Sequence, residues 1–133
     1  MRILKARYCM QFSADRIFAS VRSKLAERGI NWNTVLRNPI NPDEHREHFP
    51  EIDQAFYNND RFEIVLDGRG YTPKHVKCVI AQDLVEIVAE RETKAGHMSL
   101  IKKYPPLPRQ WDSNSGDCCM STEGIILVTG AWI

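Results

Sequence analysis

Hydrophobic and polar positions alternate with a period of two through the second half of this 133-residue chain. In Asp60-Arg61-Phe62-Glu63-Ile64-Val65-Leu66-Asp67, residues Phe62, Ile64 and Leu66 fall on one side of a pleat. Glu63 and Asp67 fall on the other, because successive side chains of a strand point to opposite faces. Val76, Cys78 and Ile80 repeat the pattern with His75 and Lys77 opposite, and Val85, Ile87 and Ala89 repeat it with Glu86 opposite. Gln82-Asp83, between the last two runs, suits a tight hairpin. Cys119 to Val128 reads as two more strands hinged on Glu123-Gly124, with Gly124 expected at positive φ. Ile64, Leu66, Ile87, Ile126 and Val128 are the expected core. Short strands with no long helical pattern between them predict an all-β antiparallel sandwich over residues 60–133.

Residues 1–59 read differently, as an N-terminal region ahead of that sandwich. Met1 to Phe12 mixes apolar and basic residues and predicts no single element. Ser13 is placed to cap a helix running to about Arg28, because Ala14, Ile17, Phe18, Val21 and Leu25 form one apolar stripe. Gly29 is its expected stop. From Ile30 to Asn59, repeated Asn together with Pro39, Pro42 and Pro50 predicts a linker with one ordered turn, and Trp32, Val35 and Leu36 offer a docking patch.

Charge excludes some functions. Lys and Arg number 18 against 17 Asp and Glu, a net charge of +1, which gives no field for nucleic acid or an anionic membrane surface. No apolar run approaches the ~20 residues of a membrane span, and the charged opening does not read as a secretory signal. Cys9, Cys78, Cys118 and Cys119 lack disulfide-framework or metal-knuckle spacing, so free thiols in a reducing cytoplasm are expected, with the nucleus as the alternative location. Adjacent Cys118 and Cys119 should face opposite sides of a strand.

Candidate chemistry is sparse. His45 and His48 have the spacing of one helical turn, but no third ligand accompanies them, and a solvated charged turn is the simpler reading. Gly68-Arg69-Gly70 has no following helix to aim amides at a phosphate, so it reads as a turn. Pro105 and Pro108 have PxxP spacing, but a rigid strand exit is the ordinary explanation, ahead of an SH3-type ligand. No serine sits in a Gly-x-Ser-x-Gly setting, and neither His75 nor His97 has a spacing that pairs it with Cys118 or Cys119. No catalytic, metal or cofactor residues are assigned, and no enzyme is expected.

The same residues carry a family resemblance. Taken in order, Asp60-Arg61-Phe62, Leu66-Asp67, Tyr71-Thr72-Pro73, Val85-Glu86-Ile87-Val88, Lys102-Lys103-Tyr104, Leu107-Pro108 and Met120-Ser121-Thr122-Glu123-Gly124-Ile125-Ile126 resemble the alpha-crystallin (Hsp20) domain of small heat shock proteins. The resemblance is to a divergent metazoan-type member. The resemblance implies an immunoglobulin-like sandwich that binds partly unfolded client proteins without ATP. It further implies a client and partner groove formed by Val76, Cys78, Ile80, Cys118 and Met120, and a dimer interface at Lys102, Lys103 and Tyr104. The stripe of Ile17, Phe18, Val21 and Leu25 becomes an N-terminal client-binding helix on this view, or else it packs permanently on the domain.

Several features depart from the family pattern. Lys102 stands where an arginine is frequent, keeping the charge without the planar fork. Residues 92–102 are few for an exchanged strand. Asn114 and Gly116 fall where the family has aliphatic groove residues, and the chain stops at Ile133 without an Ile-x-Ile tail. The expectation is a dimer or small oligomer, alone or with related small heat shock proteins. Two alternatives stay open: an adaptor or structural module on the same sandwich, and, more weakly, a p23-like co-chaperone.

Overall fold

A computed structural model of the chain describes residues 1–37 and 52–133. The strands are β1 (Arg2–Lys5), β2 (Arg7–Tyr8), β3 (Gln54–Tyr57), β4 (Arg61–Asp67), β5 (Val76–Ile80), β6 (Val85–Thr93), β7 (Gly96–Tyr104), β8 (Asp117–Met120) and β9 (Ile125–Ala131). Among the described residues, the α-helices α1 (Ala19–Glu27) and α2 (Trp32–Arg37) lie between β2 and β3. A four-stranded sheet has the order β1-β5-β6-β7, and a five-stranded sheet the order β2-β8-β9-β4-β3. All pairings are antiparallel except β2 with β8, which is parallel.

The alternation read from the sequence sets the layers. Phe62, Ile64, Leu66, Ile87, Ala89, Ile126 and Val128 are buried between the sheets, as expected of the inward face. Burying an aliphatic side chain of this size contributes about 1.5–3 kcal/mol, so the inter-sheet layer is the main stabilising element. The hairpin turns fall where predicted. Ile80 pairs with Val85 across Gln82-Asp83, and Met120 with Ile126 across the Glu123-Gly124 turn. Gly124 takes φ +101°, and its N–H donates to Ser121 O at 3.0 Å. Cys118 faces the inter-sheet core and Cys119 the opposite side.

A third layer covers the outer face of the five-stranded sheet. Phe12, Phe18, Val21, Leu25, Val35 and Ile52 pack there on Val65, Cys119, Ile125 and Leu127. This explains why Val65 in β4 and Ile125 and Leu127 in β9 break the alternation, since both faces of these strands are covered. The helix starts later than expected. Ser13 does not cap it; Asp15 Oδ1 accepts from Ile17 N at 3.0 Å and opens a 3-10 turn over Arg16–Phe18. Its end is as expected, with Gly29 at φ +76°. There Ile30 N donates to Leu25 O and Gly29 N to Ala26 O, the paired bonds of a Schellman stop.

Buried charge fixes this layer on the sheet. The Glu63 carboxylate is fully buried and receives hydrogen bonds from Ser20, Lys24, Asn58 and Arg61. Burial alone would raise its pKa, but the Lys24 hydrogen bond, the Arg61 charge and the Ser20 hydroxyl together hold it below the ordinary 4.5.

The boundary expected between residues 59 and 60 falls inside a β-hairpin, because β3 pairs with β4. Residues 2–8 also supply strands to both sheets. The sandwich therefore draws on chain well before Asp60. His45, His48 and most of the Pro- and Asn-rich stretch lie outside the described residues.

Candidate functional site

Val76, Cys78 and Ile80 project inward from β5, and Cys118 and Met120 project inward from β8. These two strands are neighbours across the mouth of the sandwich. The structure therefore brings together all five residues expected to form a groove. Burial raises the Cys78 thiol to about 12, and it raises Cys118 strongly as well. Both stay protonated and behave as small apolar groups.

The groove is filled by the chain's own first strands, which we call the strap. β1 pairs antiparallel with β5 in the register Arg2 with Ile80 and Lys5 with Lys77. Ala6 N extends this pairing by donating to Val76 O at 3.2 Å, and the chain then crosses to the other sheet, where β2 pairs with β8. Leu4 is buried in the inter-sheet cluster, and Ala6 packs against it. Arg7 Nε and Nη2 bond both Asp117 carboxylate oxygens, at 3.1 and 2.7 Å. Beyond the strap, Cys9 N donates to Met120 O at 3.0 Å, and Phe12 N donates to Glu123 Oε1 at 2.8 Å. Burial works to raise the Glu123 pKa, yet the amides of Phe12 and Ser13 help to hold it lowered.

Gly116 has a definite part in this arrangement. A Cβ placed there would lie 3.0 Å from Leu4 Cδ2 and 3.0 Å from the Trp111 ring, so the missing side chain is the space that Leu4 fills. This corrects the expectation that Asn114 and Gly116 form the second edge of the groove. Asn114 sits in the 3-10 turn Ser113–Ser115, and the edge proper is β8, which starts at Asp117. Two open clefts flank the strap. One of about 720 Å³ lies by Arg2, Ile80, Leu107 and Trp111, and one of about 410 Å³ lies by Lys5, Ala6, His75 and Val76.

The other predicted residues fare unevenly. Phe18, Val21 and Leu25 are fully buried under the helix layer and Ile17 packs against it, so this stripe is not an open client surface. The reason is that the outer face of β4, β8 and β9 is itself apolar and takes the stripe as its cover. Among the expected dimer residues, Lys102 turns toward the buried Asp53 carboxylate at 3.8 Å, and Tyr104 packs against the core. Lys103 is the member that faces outward, 4.0 Å from Glu86. β7 has no strand on its far side within the described residues. Sequence reasoning missed the strap, although Leu4 and Ala6 alternate with Lys5 and Arg7 in the strand period.

Among the described residues no group of three or more His, Cys, Asp or Glu side chains is arranged to hold a metal ion. None of the described helices is long and apolar enough to cross a membrane.

Comparison with known proteins locates the fold. No family model and no curated protein matches the sequence. Solved structures do match. Stress-induced protein 1 from Caenorhabditis elegans superposes with a TM-score of 0.50 at 18% identity, over 59% of this chain and 84% of that one. This chain has the alpha-crystallin fold. Heat shock protein 16.0 from Schizosaccharomyces pombe superposes equally well, with a TM-score of 0.50 at 13% identity over 60% of this alpha-crystallin-type chain and 84% of its own length.

Proposed function

We propose that this protein is an ATP-independent chaperone of the small heat shock type, a holdase that keeps partly unfolded proteins from aggregating. One observation carries the reading: five apolar residues from two sheet edges converge on a groove that already holds an extended segment with a buried leucine. A groove whose walls pair through the main chain and whose floor is aliphatic suits an unfolded segment, because main-chain pairing recognises backbone while the floor takes apolar side chains. The fold shared with two stress proteins supports it. The action is binding rather than catalysis, and it belongs in the cytoplasm or nucleus. Self-association runs along the free edge of β7.

The purified full chain, at stoichiometric amounts and without nucleotide, is expected to suppress light scattering by a heat- or reduction-destabilised client. Unchanged scattering at tenfold excess overturns the reading. A second reading, an adaptor or structural module, draws on the closure of the groove by the strap and the burial of the α1 stripe. A resting state with both apolar surfaces covered suits a module that meets partners through its edges. That reading predicts no suppression and a stable complex with one folded partner.

A further inference from the structure

We propose that the cleft of Lys5, Lys74, Lys77 and His75, on the outer face of the four-stranded sheet, is an anion site that takes a phosphomonoester with a small apolar body. The site lies on the solvent side of β1 and β5, and it stands independently of the chaperone reading above.

The strand register assembles the cations. Leu4, Cys78, Ile87 and Ala89 point into the core, so Lys5, Lys77, Val88 and Glu90 point the other way. Lys5 pairs with Lys77 across β1 and β5, and Lys77 pairs with Val88 across β5 and β6. Side chains directly opposite on an antiparallel pair stand about 4.5–5.5 Å apart at Cβ, and like charges in that position repel. The ladder therefore holds together two ammonium groups that would separate if free. Lys74 joins them from the 3-10 turn Pro73–His75, and all three lysines are exposed and line one cleft of about 410 Å³. Among the described residues none of the three is in an ion pair with a carboxylate. Glu90 is the acidic residue of the cleft wall, so three lysines face one glutamate.

His75 adds a neutral donor. Thr72 N donates to His75 Nδ1 at 3.1 Å, so Nδ1 is an acceptor and the neutral ring carries its proton on Nε2. Burial, then the charges of Lys74 and Arg91, hold the His75 pKa below the ordinary 6.5. Those two charges register the positive field that an anion would relieve. Lysine is a compact point charge with three rotatable donors and no planar fork, which suits a tetrahedral dianion better than a flat carboxylate. The cleft exceeds the size of one phosphoryl group, and Pro73 and Val88 on its wall offer apolar surface to the organic part of an ester.

Calorimetric titration of the full chain uses phenyl phosphate as the probe, with inorganic phosphate and phenol as its separate halves. Phenyl phosphate is expected to bind at least tenfold more tightly than inorganic phosphate, and phenol not measurably. Lys5→Gln, Lys74→Gln and Lys77→Gln should each weaken binding at least fivefold, and the triple variant should abolish it. Lys94→Gln, at the far β6–β7 tip, should leave it unchanged. Without ligand, Lys5→Gln and Lys77→Gln should have urea midpoints no lower than the unaltered chain, because their repulsion is relieved. A purely structural role for these lysines predicts the reverse and would overturn the inference. Phenyl phosphate should also shift the ring NMR signals of His75 and leave those of His97 in place. A short phosphotyrosine peptide then separates the sources of the phosphoryl group. Tighter binding of the peptide assigns the site to a phosphorylated side chain, weaker binding assigns it to a free ester, and both support an anion site here. Binding that survives the triple variant, that phenol shares, or that leaves His75 unmoved overturns the inference. So does equal affinity for inorganic phosphate and phenyl phosphate, or no binding of any probe.

Discussion

The two edges of the four-stranded sheet are managed in different ways. At the β5 edge the backbone is covered by β1, and the same strap continues onto the β8 edge of the facing sheet. At the β7 edge no strand follows among the described residues, and the outward side chains are a mixture of Ile101, 53% exposed, with Lys103, His97 and Ser99. An unpaired edge is a template for further strands, so each must be guarded. One is guarded by occupancy and the other by charge. Occupancy can be reversed by moving one segment, whereas a charged edge favours only a partner that matches it. On the proposed reading, client entry and self-association belong to opposite edges and should separate experimentally.

Removing what the two edges share should have the largest effect. Ile87 sits on β6, opposite Cys78 on one side and Lys102 on the other, and is fully buried. Ile87→Ala should cost about 2–5 kcal/mol in urea unfolding and loosen both edges together. An unchanged urea midpoint would break the shared-core premise.

Hairpin tips come next. Gly124, at the β8–β9 tip beside the sealed edge, combines φ +101° with a Cβ position 2.9 Å from Arg69 Cα. Gly96, at the β6–β7 tip of the open edge, has φ +126° and nothing within 4 Å. Gly96→Val should cost roughly 1–2 kcal/mol of backbone strain, and Gly124→Val distinctly more because a backbone clash is added. Equal midpoints for the two variants would remove the distinction between the tips.

Much of this was legible in advance, for a physical reason. A period of two puts Ile64, Leu66, Ile87, Ile126 and Val128 on one face, although β4 and β9 carry apolar residues on their other face as well. The inward placement of Val76, Cys78, Ile80, Cys118 and Met120 was legible from the same period. What was not legible depended on which face meets which. The α1 stripe reads alike whether it lies on a sheet or faces solvent, and only the apolar outer face of β9 decides it. Likewise Lys102 is a plain basic residue in sequence, and its turn toward Asp53 depends on a contact 49 positions away, read from the 3.8 Å pair. The strap was hidden by its shortness, since four residues with two basic ones do not stand out from a polar lead-in.

Acid should separate the helix layer from both edges. The Glu63 pKa is lowered on folding, so its contribution is fully present above the ordinary carboxylate value and is lost as pH falls through the depressed folded value. The urea midpoint should therefore drop as pH falls below about 4, and Glu63→Gln should flatten that dependence. A steep drop that persists in Glu63→Gln would place the acid sensitivity elsewhere. The smallest effect belongs to the open edge. Ile101→Lys should change stability by no more than about 0.5 kcal/mol while weakening self-association in light scattering. Loss of client protection in this variant would break the separation of edges.

Residue-resolved hydrogen exchange on the unaltered full chain tests the central claim, that the sealed edge is closed by a separable segment. The amide of Ala6 in the strap, bonded to Val76 O, should be protected yet exchange well ahead of the β4 and β9 amides that pair Ile64 with Val128. Strap amides that exchange only with the core would contradict the account, because the strap would then be an integral strand.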